Sequence, residues 1–144
     1  MEWFNMYGLL FMVVIMIPNI LYAVKCKDGF ENKYPHKALA CLEQIGRYGC
    51  LVCMVFHIPG TWFGWWSEDA FAWYLIINIL LIGLYCTIWA VCWKKNTRFR
   101  ALALSILPAV VFLFSGIMSQ SVLLILSALL FAPSHILISY RNAI

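Results

Sequence analysis

The chain has 144 residues, of which 65% are hydrophobic and 11% are charged. Ordinary soluble domains carry a charged fraction of about a quarter, so this composition excludes a water-soluble globular domain and favours a protein embedded in a lipid bilayer. The net charge of +4 comes from basic residues that stand between hydrophobic runs. It is therefore a signal of membrane topology and does not indicate a nucleic-acid partner.

Five hydrophobic runs follow one another along the chain, at residues 3–24, 38–59, 71–93, 101–118 and 121–140. Because a membrane-spanning helix needs about 20 apolar residues, we divide the long stretch from 101 to 140 by a turn within 115–121. We predict an all-α integral membrane protein in which one domain, residues 1–144, forms a bundle of five transmembrane helices. No basic segment precedes the first run and no small-residue cleavage site follows it, so we expect it to remain as an anchor.

Basic residues follow the first, third and fifth runs, which places them all on one side of the membrane in a five-helix arrangement. Such residues favour the cytoplasmic side, so we expect the N-terminus outside, the C-terminus in the cytoplasm, and a multi-pass protein of the cell membrane. Their side chains are expected to meet anionic lipid headgroups. They are Lys25, Lys27, Lys33, Lys37, Lys94, Lys95, Arg98, Arg100 and Arg141.

The second run carries a polar face. Glu43 and Arg47 are four residues apart with the acid first, a spacing that lets the two side chains pair along a helix. Cys50, Met54 and His57 continue the same arc at steps of three or four residues. An isolated charge within the bilayer costs at least about 3 kcal/mol, so we expect this face to point into the bundle or into a hydrated cavity. The alternative interpretation is purely structural, with the pair locking the helices together.

Polar residues of the other runs are expected at a similar depth. At a rise of about 1.5 Å per residue, residues from every run fall in a layer about 8 to 12 Å from the cytoplasmic boundary. Pro18, Pro108 and Pro133 lie near this layer, and they indicate either interrupted helices at a solute site or ordinary kinks. The candidate residues for binding a solute or ion are Glu43, Arg47, Asn19, Gln44, Ser134, His135 and Asn78.

Other chemistries fit the sequence less well. Cys50, Cys53 and His57 offer three ligands where a structural zinc site needs four, and the six cysteines lie mainly in apolar runs, where a thiol packs as a small hydrophobic group. His57 and His135 are expected near opposite ends of the bundle, so they cannot ligate one haem. Ser134 and His135 are adjacent, which points them in different directions on a helix. We therefore expect no metal and no cofactor, and we identify no catalytic residue.

These observations predict a small polytopic membrane protein that binds or conducts a polar or ionic solute through an inward-facing polar cavity, as a homo-oligomer or with a partner membrane protein. In this interpretation Glu43 is the cation or proton site and Arg47 is its partner or an anion contact. Two alternatives stay open. The protein is a non-catalytic accessory subunit of a membrane complex, or it is a membrane enzyme that acts on a lipid-like substrate from the cytoplasmic side.

Overall fold

The computed structural model describes residues 4–25, 37–58, 60–93 and 98–142. This part of the chain forms five α-helices: α1 (Met6–Lys25), α2 (Lys37–Val55), α3 (Glu68–Val91), α4 (Arg98–Ser119) and α5 (Val122–Asn142). The prediction of five helices is confirmed, and the long apolar stretch does divide, with Gln120 at the turn. Lys27, Lys33, Lys94 and Lys95, on which the predicted orientation partly depends, lie outside the described residues.

Four of the helices are long and apolar enough to cross a membrane. Within the described ranges these segments are Lys37–Val55, Glu68–Val91, Phe99–Ser119 and Val122–Arg141, and the segment Met6–Tyr22 of α1 is apolar but shorter. Many large apolar side chains face outward; Leu80 on α3, for example, is 64% exposed. Apolar outer faces on long helices are compatible with a multi-pass membrane protein.

The five helices form a closed ring in the order α1, α2, α5, α4, α3, and the closest packing is between α2 and α5. Buried apolar side chains from all five helices fill the interior of the ring. They include Ile15, Met54, Tyr85, Val111 and Leu124. Because ring neighbours such as α2 and α5 are far apart in the sequence, their packing brings distant residues together.

Backbone contacts show that α2 runs antiparallel to both of its ring neighbours. The N–H of Asn5, just before α1, donates to the carbonyl of Val55, the last residue of α2, at 2.7 Å. At the same end of the bundle, the backbone of Trp62 pairs with that of Ser121, just before α5, in a single antiparallel β-bridge. The basic residues at helix ends, Lys25, Lys37, Arg100 and Arg141, therefore gather at the opposite end from Glu68 and Asp69.

The connection between α2 and α3 is fixed to the turn between α4 and α5. Phe63 N–H donates to Gln120 O at 3.1 Å, and Val122 N–H donates to Thr61 O at 2.9 Å. Trp66 Nε1–H donates to Ile117 O at 2.6 Å. Gln120 adopts a positive φ of 52°, the left-handed conformation that lets α4 and α5 turn back on each other within a few residues.

Helix α2 ends earlier than the polar face of the second run indicated. Its last residue is Val55, so His57 does not share the helix with Glu43 and Arg47. The imidazole ring of His57 is instead stacked on Trp62, with a centroid separation of 4.2 Å and an interplanar angle of 15°. The sequence Ile58-Pro59 explains the early end, because a proline disfavours helical geometry in the residue before it.

Candidate functional site

A buried carboxylate and a partly exposed guanidinium form an ion pair along α2. Arg47 Nη2 donates to Glu43 Oε1, and the two side chains differ sharply in exposure, at 5% for Glu43 and 38% for Arg47. The pair forms because residues four apart are neighbours on a helix. The carboxylate is therefore buried, while the arginine side chain that pairs with it is partly exposed.

A third ionisable group reaches the same oxygen from another helix. His135 of α5 places Nδ1 3.2 Å from Glu43 Oε1, and its side chain is 22% exposed. The imidazole is stacked on Phe131, one turn earlier on α5, with ring centroids 4.6 Å apart and an interplanar angle of 18°. This stacking fixes the ring so that Nδ1 faces Glu43 and Nε2 faces away. We name Glu43, Arg47 and His135 the acid–base cluster.

Two glycines bring α2 and α5 close enough for the cluster to form. A Cβ atom added at Gly46 would lie 2.6 Å from the backbone nitrogen of Phe131, closer than real Cβ atoms come. One added at Gly49 would overlap the Ser127 hydroxyl. Small residues of this kind let membrane helices approach to backbone contact, so the spacing Gly46–Gly49 sets the helix separation at which His135 reaches Glu43.

The predicted Asn19 lies in a polar contact between α1 and α3. Its Nδ2 donates to Ile15 O at 2.9 Å and to the Tyr85 hydroxyl at 2.6 Å. The hydrogen bond between Asn19 and Tyr85 therefore links α1 to α3, while the acid–base cluster links α2 to α5.

Gln44 and Ser134 do not join the acid–base cluster. Gln44 is exposed on the outer surface of α2, because it is rotated by about 100° from Glu43 on the helix. Ser134 is 4% exposed, and its hydroxyl donates to Leu130 O in its own helix at 2.8 Å. Serines in apolar helices commonly satisfy their hydroxyls in this way, which leaves Ser134 without a role in the cluster.

Asn78 belongs to a separate polar contact, between α3 and α4. It is fully buried, and Nδ2 donates to the Ser115 hydroxyl at 2.9 Å. Its Oδ1 has no hydrogen-bond partner among the described residues. Exchanging the amide oxygen and nitrogen would leave Nδ2 unpaired instead, so one polar atom of this amide is unsatisfied in either orientation.

Arg100 differs from the expectation that the basic residues meet lipid headgroups. It lies in the first turn of α4 and is 8% exposed. It donates to Trp93 O at 3.1 Å and to the Tyr22 hydroxyl at 3.3 Å, and its guanidinium carbon lies 5.1 Å from the centre of the Tyr22 ring. Arg100 thus joins α1, the end of α3 and α4, and sequence pattern alone did not indicate this inward position.

The thiols face the interior or the helix surface as free cysteines. Cys50 is fully buried and Cys53 is 5% exposed, and the cysteines within the described residues are free. Within the same ranges, no three His, Cys, Asp or Glu side chains are close enough together to hold a metal ion.

The acid–base cluster can exchange protons and bind charged groups. It combines a carboxylate acceptor, a permanently charged donor and an imidazole with two ring nitrogens. A carboxylate held by two donors on one oxygen keeps its second oxygen for another donor. Comparisons with protein-family models, with curated proteins and with solved structures give no match.

Proposed function

We propose that the protein spans the cell membrane five times and binds a polar or ionic solute at the acid–base cluster, through which the solute or a proton moves. The gathering of Lys25, Lys37, Arg100 and Arg141 at one end of the bundle supports a cytoplasmic position for that end. Glu43 is the seventh residue of α2, about 9 Å from its first residue at 1.5 Å per residue. The cluster then lies within the membrane, near its cytoplasmic face.

The observation that carries this proposal is the unequal exposure of the ion pair. A purely structural pair is stable when both partners are enclosed and fully hydrogen-bonded. Here Glu43 is enclosed but Arg47 is 38% exposed, and among the described residues the guanidinium hydrogen-bonds to Glu43 alone. Its other N–H groups would face acyl chains at high cost unless water or a bound solute meets them.

Flux through reconstituted vesicles tests this function. Purified protein is placed in vesicles, and three probes are followed: protons with an entrapped pH-sensitive dye, labelled sodium ions and labelled inorganic phosphate. We expect wild-type protein to move at least one probe and Glu43→Gln to abolish that movement. Glu68→Gln is the matched control, because Glu68 is exposed at the opposite end of the bundle and its replacement should leave flux unchanged.

Two results contradict the proposal. One is wild-type protein that moves none of the three probes above the rate of empty vesicles. The other is Glu43→Gln protein that moves the probe as fast as wild type while retaining its fold.

The close packing of α2 and α5 favours a second function, that of an accessory subunit. Because Gly46 is in backbone contact with Phe131, the cluster cannot open by separating these two helices without losing that contact. In this case the partly exposed Arg47 would meet a polar group of a partner membrane protein or of a second copy. The accessory function predicts a stable complex in mild detergent that Arg47→Gln dissociates, and no flux by the chain alone.

A further inference from the structure

We infer that the species moved at the acid–base cluster is a proton, and that His135 is the residue that passes it to Glu43. This inference rests on the proposed function, since it names the solute of the same site. It starts from the different surroundings of the two nitrogens of the imidazole.

The imidazole is held with one nitrogen against the carboxylate. His135 Nδ1 lies 3.2 Å from Glu43 Oε1, which is within the hydrogen-bond reach that proton transfer requires. One face of the imidazole is stacked on Phe131, which is 3% exposed and packs edge to face on Phe112 with ring centroids 5.5 Å apart. These buried rings hold the plane of the imidazole, so Nδ1 keeps its contact with Glu43.

The second nitrogen of the imidazole is open to a proton source outside the bundle. Among the described residues, Nε2 of His135 makes no hydrogen bond, and it does not belong to the enclosed polar atoms that lack a partner. The side chain as a whole is 22% exposed. Water can therefore reach Nε2 while Nδ1 contacts the buried carboxylate.

An imidazole in these surroundings can pass a proton across its ring. With Nδ1–H directed at Glu43, Nε2 accepts a proton from water and a new N–H bond forms. The Nδ1–H bond then breaks, and its proton forms an O–H bond with Glu43 Oε1. The ring is left neutral with its proton on Nε2, and the carboxylate has become a carboxylic acid. Release of the proton by Glu43 and exchange of the two imidazole tautomers restore the starting state.

Arg47 supplies the fixed charge that this step needs. Its guanidinium stays protonated and pairs with Glu43 Oε1, which favours the ionised carboxylate as a proton acceptor although its side chain is 5% exposed. When Glu43 takes up a proton, water can solvate the partly exposed arginine. Among the described residues, Arg47 of α2 and His135 of α5 are the charged or titratable groups in contact with this carboxylate.

Proton movement across reconstituted vesicles tests the inference with the whole chain. Protons are followed with an entrapped pH-sensitive dye, and labelled sodium ions and inorganic phosphate are followed in parallel. We expect wild-type protein to move protons and neither of the other two probes. His135→Asn keeps an amide near the position of Nδ1, but an amide does not take up a further proton. It should move protons about a hundredfold more slowly, because a positioned acid–base group contributes at least about that factor.

A second variant keeps the test independent of the folding of His135→Asn. Glu43→Asp retains the carboxylate but withdraws it from His135 by one methylene group. A misplacement of about 1 Å costs about a hundredfold in rate, so proton movement should slow by about that factor. Ser134→Ala is the matched control, because Ser134 is next to His135 and its hydroxyl is bonded within α5 to Leu130 O; it should move protons at the wild-type rate.

The inference is overturned if His135→Asn and Glu43→Asp move protons as fast as wild type. It is also overturned if Ser134→Ala slows proton movement as much as they do, because the effect would then not depend on the imidazole. Wild-type protein that moves sodium ions or phosphate but no protons would retain the proposed function and reject the proton as its solute. Wild-type protein that moves none of the three probes would reject both.

Discussion

Removing the two charges of the ion pair singly and together should have unequal effects on stability. Arg47→Gln leaves a carboxylate whose side chain is 5% exposed with only His135 beside it. An unpaired charge in such a place costs about 3 kcal/mol of unfolding free energy. Glu43→Gln leaves an arginine side chain that is 38% exposed, so water or a solute that already meets its other N–H groups can also solvate the freed one. We expect it to cost about 1 kcal/mol.

The double variant Glu43→Gln/Arg47→Gln has no charge left to bury, so its cost should fall back to about 1 kcal/mol, whereas independent effects would add to about 4 kcal/mol. The coupling free energy of the cycle is then about 3 kcal/mol. It is measured by unfolding in mixed detergent micelles, followed by the fluorescence of the seven tryptophans. Equal costs for the two single variants, or a double variant at the additive value, would refute the conclusion that burial of the carboxylate makes the pair asymmetric.

Two further predictions concern how the bundle positions the cluster. Gly46→Ala should destabilise the protein by at least about 2 kcal/mol, because the new methyl group overlaps the Phe131 backbone. Gly83→Ala, where the structure leaves open space, should not lower stability. Equal unfolding midpoints for the two variants in the same assay would reject the close approach of α2 and α5. Arg100→Gln should lower the free energy of unfolding by about 1 to 2 kcal/mol and should shift the emission maximum of the tryptophans near it. Lys37→Gln, which removes an exposed charge at the same end, should do neither. No difference between these two variants would show that the inward bonds of Arg100 contribute nothing to stability.

The sequence predicted the features that depend on one helix at a time. The five helices follow from the length of the hydrophobic runs, and the Glu43–Arg47 contact follows from their four-residue spacing. The same helix geometry argues against a binding role for Gln44, because its side chain is rotated by about 100° from that of Glu43. Gln44 was included only because its expected depth in the membrane matched that of the other polar residues. Depth ignores the direction in which a side chain points, and for Gln44 that direction is outward.

Features that depend on which helices pack together were not predictable. The meeting of His135 with Glu43 requires α5 to neighbour α2, and the hydrophobic runs do not indicate that order. Tyr85 gave no signal, because an aromatic residue in an apolar run looks like core packing until Asn19 is found beside its hydroxyl. The sequence around Arg100 is the same whether the side chain points outward or inward. Its inward position is seen only in the structure, where it donates hydrogen bonds to carbonyls at the end of α3.

Flux by the double variant Glu43→Gln/Arg47→Gln, in vesicles of the wild-type composition, separates a solute site from a structural lock most directly. If the acid–base cluster handles the solute, this variant folds with nearly wild-type stability and moves none of the probe that wild-type protein moves. A double variant that folds and transports at the wild-type rate would contradict the account, because the two charges would then serve only to hold the helices together.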